Sequence, residues 1–145
     1  MNILVSACLL GVNCRYDGTG QLTEPLLSLL NEHTLIPVCP EQLGGLQTPR
    51  PPSELKNNLV VTKAGQDVTT AFKKGAEETL KLAQLYHCNL AILKERSPSC
   101  GAKQIYDGSF SAHLIKGMGV TASLLMAHGI QVIGESEITN FFNKS

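Results

Sequence analysis

Three of the five cysteines in this chain occur where an apolar, strand-like run gives way to a turn. They are Cys8 in ILVSACLLG, Cys39 in TLIPVCPEQLGG and Cys100 in LAILKERSPSCG. In a wound α/β sheet the carboxyl ends of the parallel strands share one edge, and ligands bind there. Three thiolates that converge at this edge could hold a metal or a metal cluster and leave one coordination position open for a substrate. The pattern therefore favours an enzyme over a structural zinc module.

The spacing of the cysteines limits the choice of metal. Structural zinc sites usually draw on C-x-x-C pairs or on spaced histidines, and the sequence contains neither. The cysteine run of bacterial ferredoxins is also absent. Single cysteines from three separate loops fit an iron–sulfur cluster, but the residues alone leave both zinc and a cluster open. Taken singly, each cysteine could instead be a small buried apolar residue.

Polar residues near these cysteines are candidates for contacts with a substrate. Two hydroxyls and a glycine around the third cysteine form a turn suited to an anion or a sulfur atom: Ser97, Ser99 and Gly101. A second group follows the first cysteine and could line a pocket: Arg15, Tyr16 and Asp17. Either group could instead be an ordinary turn. Cys14 and Cys88 have no partner at ligand spacing, and we expect both to be dispensable.

Strands that alternate with helices predict the sheet that positions these residues. Short apolar runs, typical of buried parallel strands, occur at 2–7, 34–38, 89–94 and 130–134. Apolar residues recur at helical spacing at 69–86 and 119–128, and shorter helices are expected after Thr23 and at 138–145. This order predicts a single domain over 1–145, an α/β three-layer sandwich with a mostly parallel, Rossmann-like sheet of about four to five strands.

Two segments rich in proline or glycine predict irregular structure. The stretch 40–52 contains four prolines and two adjacent glycines, and we expect a shaped loop without a regular element. Arg50 and Glu54 flank the last two prolines and are expected to form an ion pair that braces this loop. We expect another loop at 101–117, and a small hairpin or a strand ending in a turn around 58–62.

Composition excludes several classes of protein. The chain has 145 residues, 43% hydrophobic and 17% charged, which suits a compact core and argues against disorder. Its formal net charge is zero and no basic tract occurs, so we expect no duplex nucleic acid partner. No apolar run reaches the roughly 20 residues that a membrane helix needs. Because no secretory signal pattern is present, we expect a cytoplasmic protein whose odd number of cysteines serves as free thiols, metal ligands or catalytic groups.

Four sets of segments resemble the YbbK-like family, which was long described as a domain of unknown function. They are SACLLG with RYDG, PVCPEQLGGLQTPRPP, GQDVT with FKKGA, and KERSPSCG with YDG. The likeness runs along nearly the whole chain, and its cysteine motifs are specific. The characterised members of this family are of the thiouracil desulfidase type. The resemblance therefore implies an enzyme that acts on a small thiolated molecule.

The resemblance also implies a cofactor and roles for individual residues. It implies a 4Fe–4S cluster held by Cys8, Cys39 and Cys100, with a fourth iron open to the substrate sulfur. By the same likeness, Glu41 is expected to be the acid and base, and Ser97 a hydroxyl that contacts the substrate. The implied reaction removes sulfur, without net electron transfer, from a thiolated pyrimidine base or nucleoside, as in the conversion of thiouracil to uracil and hydrosulfide.

Two other functions remain open from the sequence. One is a non-catalytic metal or iron–sulfur protein that delivers sulfur or binds a partner. The other is a metal-free thiol enzyme in which one of the cysteines is the nucleophile.

Overall fold

The computed structural model describes residues 1–143 and contains a four-stranded, wholly parallel sheet with helices on both faces. In chain order the strands are β1 (Asn2–Ser6), β2 (Thr34–Val38), β3 (Ser53–Lys56), β4 (Leu59–Thr62), β5 (Leu90–Leu93), β6 (Gln104–Tyr106), β7 (Leu114–Lys116) and β8 (Gln131–Gly134). The helices are α1 (Glu24–Leu29), α2 (Pro40–Leu43), α3 (Thr69–Leu85), α4 (Val120–Ala127) and α5 (Ile138–Phe142). The sheet has the strand order β2-β1-β5-β8. The predicted α/β fold is confirmed.

Alternation along β1 explains why both faces of the sheet are covered. Ile3 and Val5 point into one buried cluster, which also contains residues of α1 and α5. Leu4 points into a second cluster, with residues of α3 and α4. All three of these side chains are fully buried, and burial of each contributes about 1.5–3 kcal/mol to folding. Since β1 pairs with β2 on one side and β5 on the other, it is an inner strand of a three-layer structure.

The main elements of the fold were predicted closely, whereas several short elements were not predicted. The four strands of the sheet and the helices α3 and α4 lie within one residue of their predicted bounds. The strand expected around 58–62 is present as β4, and it forms an antiparallel hairpin with the preceding strand β3, which was not predicted. The helix predicted at 138–145 occurs as α5, and 144–145 lie outside the described residues. Among residues 1–143, no helix combines the length and the apolar character needed to cross a membrane.

Two segments predicted to be loops contain regular elements. The stretch 40–52 begins with the one-turn helix α2, because a proline in the first turn of a helix lacks only an N–H that would have no partner there. The segment 101–117 contains the antiparallel hairpin β6–β7. Its strands have three residues each, too few for apolar alternation to be detected in the sequence. Gly108, with φ of 93°, supplies a left-handed backbone conformation in the connecting turn.

Close contact between two glycines fixes α2 on α3. A Cβ atom on Gly75 would collide with the carbonyl oxygen of Pro40, and one on Gly44 would collide with that of Ala71. The backbones of α2 and α3 therefore touch without intervening side chains. Since α2 starts immediately after Cys39, this contact sets the position of that cysteine and of the residues that follow it.

We expect Gly75→Ala to lower the free energy of unfolding by about 2 kcal/mol or more, because the added methyl group has no space against the α2 backbone. Alanine gains about 1 kcal/mol of helix propensity over glycine, which does not offset a collision with backbone atoms. Urea unfolding measures the change. Lys74→Ala, at an exposed neighbouring position on α3, is the control and should stay within about 0.5 kcal/mol of the parent. Equal stability of Gly75→Ala and the parent would contradict the backbone contact.

Candidate functional site

A cavity of about 570 Å³ opens at the carboxyl edge of the parallel sheet. Its lining comes from the loops after β1, β2 and β5 and from both small hairpins. Seven of the ten residues predicted for the site line this cavity: Cys8, Arg15, Tyr16, Cys39, Glu41, Ser97 and Cys100. The fold thus brings together residues that lie more than 90 positions apart in the sequence.

The other three predicted contact residues lie outside the cavity lining. Asp17 is exposed, and hydrogen bonds from the hydroxyl and the N–H of Thr19, at 2.6 Å and 3.1 Å, lower its pKa. Ser99 is buried, and its hydroxyl bonds to that of Thr121 at 2.8 Å. Gly101 is buried within its turn, where an added side chain would meet backbone atoms. Their positions in the sequence put Ser99 and Gly101 next to the third cysteine and Asp17 in the first loop. Sequence position alone could not show whether these residues face the cavity.

The three predicted ligand cysteines approach the cavity from three separate elements. Cys8 lies in a short 3-10 turn after β1, Cys39 directly precedes α2, and Cys100 lies in a turn after β5. Burial raises the pKa of Cys8 to about 11, and the neighbouring Cys39 adds to the increase. Burial also raises the pKa of Cys100 to about 12. A cysteine nucleophile reacts as the thiolate, so these two thiols are poorly suited to act without a metal.

A fourth thiol, which was expected to be dispensable, lines the same cavity. Cys14 is only 3% exposed, although it lies in a loop of mostly polar residues. Burial raises its pKa to about 12, and Cys39 adds to the increase through its charge and a hydrogen bond. Cys88, the other cysteine expected to be dispensable, packs in the core between the sheet and α3 and α4. No spacing rule identifies Cys14, because the loop after β1 turns back over the sheet edge.

Ser97 fixes the turn that carries Cys100. Its Oγ accepts hydrogen bonds from the N–H of Ser99 at 3.1 Å and from the N–H of Cys100 at 3.0 Å. These bonds use the lone pairs of the hydroxyl and leave its proton available for donation. Because Ser97 lines the cavity, a bound molecule with an acceptor atom could receive this proton.

Arg50 joins the loop of Cys39 to the loop of Cys14. Its Nε donates to Glu41 Oε1 at 3.0 Å, and its Nη2 donates to the carbonyl oxygen of Cys14 at 3.0 Å. The Arg50 side chain is 7% exposed and that of Glu41 18%, so solvent screens this ion pair only weakly. Within residues 1–143, Glu41 Oε2 has no hydrogen-bond partner. The arrangement fixes the carboxylate of a residue that lines the cavity.

The predicted ion pair of Arg50 with Glu54 is wrong. Arg50 pairs with Glu41 because its loop returns towards α2, which the sequence analysis did not predict. Glu54 lies on β3, and its Oε1 accepts hydrogen bonds from the N–H groups of Gly108 at 3.0 Å and Phe110 at 3.1 Å. Glu54 therefore ties the two hairpins to each other rather than bracing the Cys39 loop.

Charged residues around the cavity are mostly basic. Lys94 donates to Glu135 Oε2 at 2.8 Å, and both side chains are at least four-fifths buried. The five basic residues of the lining are Arg15, Arg50, Lys63, Lys94 and Arg96, and the three carboxylates are Glu41, Glu54 and Glu95. This excess of positive charge favours anionic groups in the cavity, such as metal-bound thiolates.

The donor set of the cavity consists of thiols, which are the usual ligands of iron–sulfur clusters. Within residues 1–143, no three histidine, cysteine or carboxylate side chains lie close enough together to hold one metal ion. The thiols instead surround a cavity, and no histidine lines it among the described residues. In an iron–sulfur cluster each thiolate binds a different iron, so the ligands are farther apart than around one ion. Four thiols line the cavity, and they include the three that the family resemblance implies as cluster ligands, Cys8, Cys39 and Cys100.

Known proteins resemble this chain over nearly its full length. Residues 3–137 match the model of the 2-thiouracil desulfurase family. The uncharacterised protein YbbK of Bacillus subtilis (strain 168) is 43% identical over 148 residues, which cover 95% of this chain and 98% of YbbK. The solved structure of TudS, a [4Fe-4S]-dependent thiouracil desulfidase, is 45% identical, with a TM-score of 0.91, and the match covers 96% of this chain and 93% of TudS.

These findings confirm the resemblance stated from the sequence motifs and the expectation of an enzyme. The chain belongs to the 2-thiouracil desulfurase family.

Proposed function

We propose that this chain is a [4Fe-4S]-dependent desulfidase that removes sulfur from a thiolated pyrimidine base or nucleoside without net electron transfer. The observation that carries the proposal is the meeting of three thiols, a carboxylate and a hydroxyl at one cavity: Cys8, Cys39, Cys100, Glu41 and Ser97. The 45% identity to TudS supports the same chemistry. A volume of about 570 Å³ suits a small molecule and lies within the usual range for such sites.

The reaction exchanges one atom and balances without an oxidant. Thiouracil and water give uracil and hydrogen sulfide, as the C=S bond is replaced by a C=O bond. A cluster held by Cys8, Cys39 and Cys100 would supply Lewis-acid chemistry that polarises the thiocarbonyl group of the substrate. Because no electrons are exchanged overall, the reaction would not require the cluster to carry electrons.

Residues of this chain handle the proton and orient the reactants. Glu41 accepts a proton from the attacking water at Oε2 and returns it to the departing sulfur or to a ring nitrogen. Arg50 holds Oε1 and so fixes the direction of the carboxylate. Ser97 donates its hydroxyl proton to a heteroatom of the substrate ring and keeps the thiocarbonyl group in register. Arg15 and Tyr16 line the same cavity and are available for further substrate contacts.

Geometry disfavours the alternative functions. A single zinc ion needs three or four ligands around one point, and the described residues offer no such group. A metal-free thiol enzyme needs a stabilised thiolate, whereas burial raises the pKa of both Cys8 and Cys100. We propose a small-molecule substrate, with neither duplex nucleic acid nor a membrane as partner, in the cytoplasm.

An anaerobic assay tests the proposed function. The purified protein is reconstituted with iron and sulfide, and its absorbance and iron content are measured. It is then incubated with 2-thiouracil, 4-thiouracil and their nucleosides, and released hydrosulfide and the loss of thiocarbonyl absorbance are followed. We expect equal amounts of hydrosulfide and oxo product from at least one of these compounds. Iron-loaded protein that leaves all four unchanged would contradict the proposal.

Replacement of Ser97 separates positioning from turn formation. Ser97→Ala removes the proposed donor to the substrate, and we expect both a higher KM and a lower kcat, with kcat/KM reduced about tenfold or more. Steady-state kinetics with matched iron loading measures this change. Ser97→Thr, which keeps a hydroxyl, is the control and should recover most of the loss. Unchanged kinetics for Ser97→Ala would leave Ser97 as a turn residue only.

A further inference from the structure

Cys14 is a buried thiol at the cavity for which the proposed mechanism has no use. Its neighbour is Cys39, one of the proposed cluster ligands. The Cys39 thiol donates a weak hydrogen bond to the carbonyl oxygen of Cys14 at 3.7 Å. Both cysteines line the same cavity. The two residues are thus in direct contact before any chemistry occurs.

We propose that Cys14 and Cys39 are an oxidisable pair, which a peroxide joins in a disulfide when the cluster is absent, so that Cys39 is withheld as a ligand until it is reduced. The inference rests on the proposed function in taking Cys39 as a cluster ligand. Cys14 would then act as the thiol that keeps the oxidation of Cys39 reversible.

Fixed backbones favour this pairing. The carbonyl oxygen of Cys14 accepts from Arg50 Nη2 at 3.0 Å, and its N–H donates to Val12 at 2.8 Å. Cys39 is held by β2 before it and by Pro40 and α2 after it. Because both segments are already ordered side by side, closing the disulfide costs little further chain entropy.

Cys8 is the competing partner for Cys39, and the contacts disfavour it. Within residues 1–143, the hydrogen bond of the Cys39 thiol goes to Cys14, and no hydrogen bond joins Cys39 to Cys8 or to Cys100. The Cys39 thiol is therefore held against Cys14, and we expect this disulfide in preference to one between two proposed ligands.

The chemistry balances in two steps. Cys39 attacks hydrogen peroxide, the O–O bond breaks, and Cys39 sulfenic acid and water are formed. Cys14, held beside Cys39, then attacks the sulfenic sulfur as its thiol proton passes to the departing hydroxyl, so that the disulfide forms and a second water leaves. The two sulfurs together lose two electrons, which reduce one peroxide to two waters. A dithiol reverses the reaction by thiol–disulfide exchange. Without Cys14, a second peroxide would carry Cys39 on to sulfinic acid, which a dithiol does not reduce.

Thiol counting in the cluster-free protein tests the pair directly. The full chain is stripped of iron with a chelator under reduction, freed of reductant and treated with one equivalent of hydrogen peroxide. We expect free thiols to fall from the five of the sequence to about three, with a mass loss of two hydrogens. A proteolytic fragment of the parent chain should link the segments of Cys14 and Cys39, and a Cys8→Ser variant should lose the same two thiols, because Cys8 takes no part. No loss of thiols, or a fragment linking Cys8 to Cys39, would overturn the proposal.

Iron uptake after oxidation gives a second readout with matched variants. The oxidised parent should fail to take up iron and recover fully after dithiothreitol. Cys14→Ala treated with excess peroxide should gain oxygen on Cys39 and stay unable to bind iron after dithiothreitol. Cys88→Ala, which removes a buried thiol away from the cavity, should behave like the parent. Full recovery of Cys14→Ala would contradict the protective role of Cys14. A protein that forms the disulfide but desulfurates nothing would contradict the proposed function alone.

Discussion

Replacement of Cys8, Cys39 or Cys100 by serine should each reduce bound iron to near zero and abolish desulfuration. All three thiols line one cavity and come from three different elements, so we expect each to bind a different iron of the cluster. A serine hydroxyl is a hard donor and a weak ligand for cluster iron. Iron and sulfide per chain, measured after anaerobic reconstitution together with the visible absorbance, give the result. Circular dichroism of each variant shows that loss of iron does not reflect unfolding.

Cys88→Ser and Cys14→Ser are the controls for this series. Cys88 lies in the core away from the cavity, and Cys14 lies beside the proposed ligands without being one of them. We expect both variants to retain most of their iron. Equal iron content in all five variants would contradict the ligand assignment, and loss of iron in Cys14→Ser alone would make Cys14 a ligand.

Glu41→Gln should retain the cluster and the fold but lose about a hundredfold or more in kcat. Glutamine keeps an oxygen for Arg50 and the size of the side chain but cannot accept the proton of water. Steady-state rates at matched iron content measure the loss. Glu54→Gln is the control, because Glu54 lines the same cavity and its Oε1 accepts two backbone N–H groups, as a glutamine oxygen can. A loss of only a few-fold in Glu41→Gln would indicate that another group, such as Lys94 or a bound water, accepts the proton.

The central part of the fold could be predicted because its strands and its longest helix each have a clear pattern of apolar residues. The runs at 2–7 and 89–94 are apolar on both faces, as is typical of a parallel strand that has helices on both sides. The cysteines at the ends of these runs then had to meet at one edge of the sheet. For the same reason α3, with its long repeat of apolar residues, was predicted to within one residue.

The rest of the site depends on where individual loops and side chains point, which no repeat in the sequence predicts. Arg50 reaches Glu41 because a loop without periodicity turns back onto α2. Cys14 joins the cavity because the loop after β1 folds over the sheet edge, and nothing in its spacing signals this path. Ser99 points into the core although Ser97, two residues before it, faces the cavity. Each of these positions is set by tertiary contacts rather than by local sequence.

The two hairpins that Glu54 ties together have a consequence for how this family can evolve. They contribute Lys63, Tyr106 and Phe110 to the cavity but belong to neither the sheet nor the loops that carry the cysteines. Mutations there can reshape the cavity wall while the thiols stay in place. Members of the family that differ in these hairpins could thus accept different molecules while their cysteines keep the same positions.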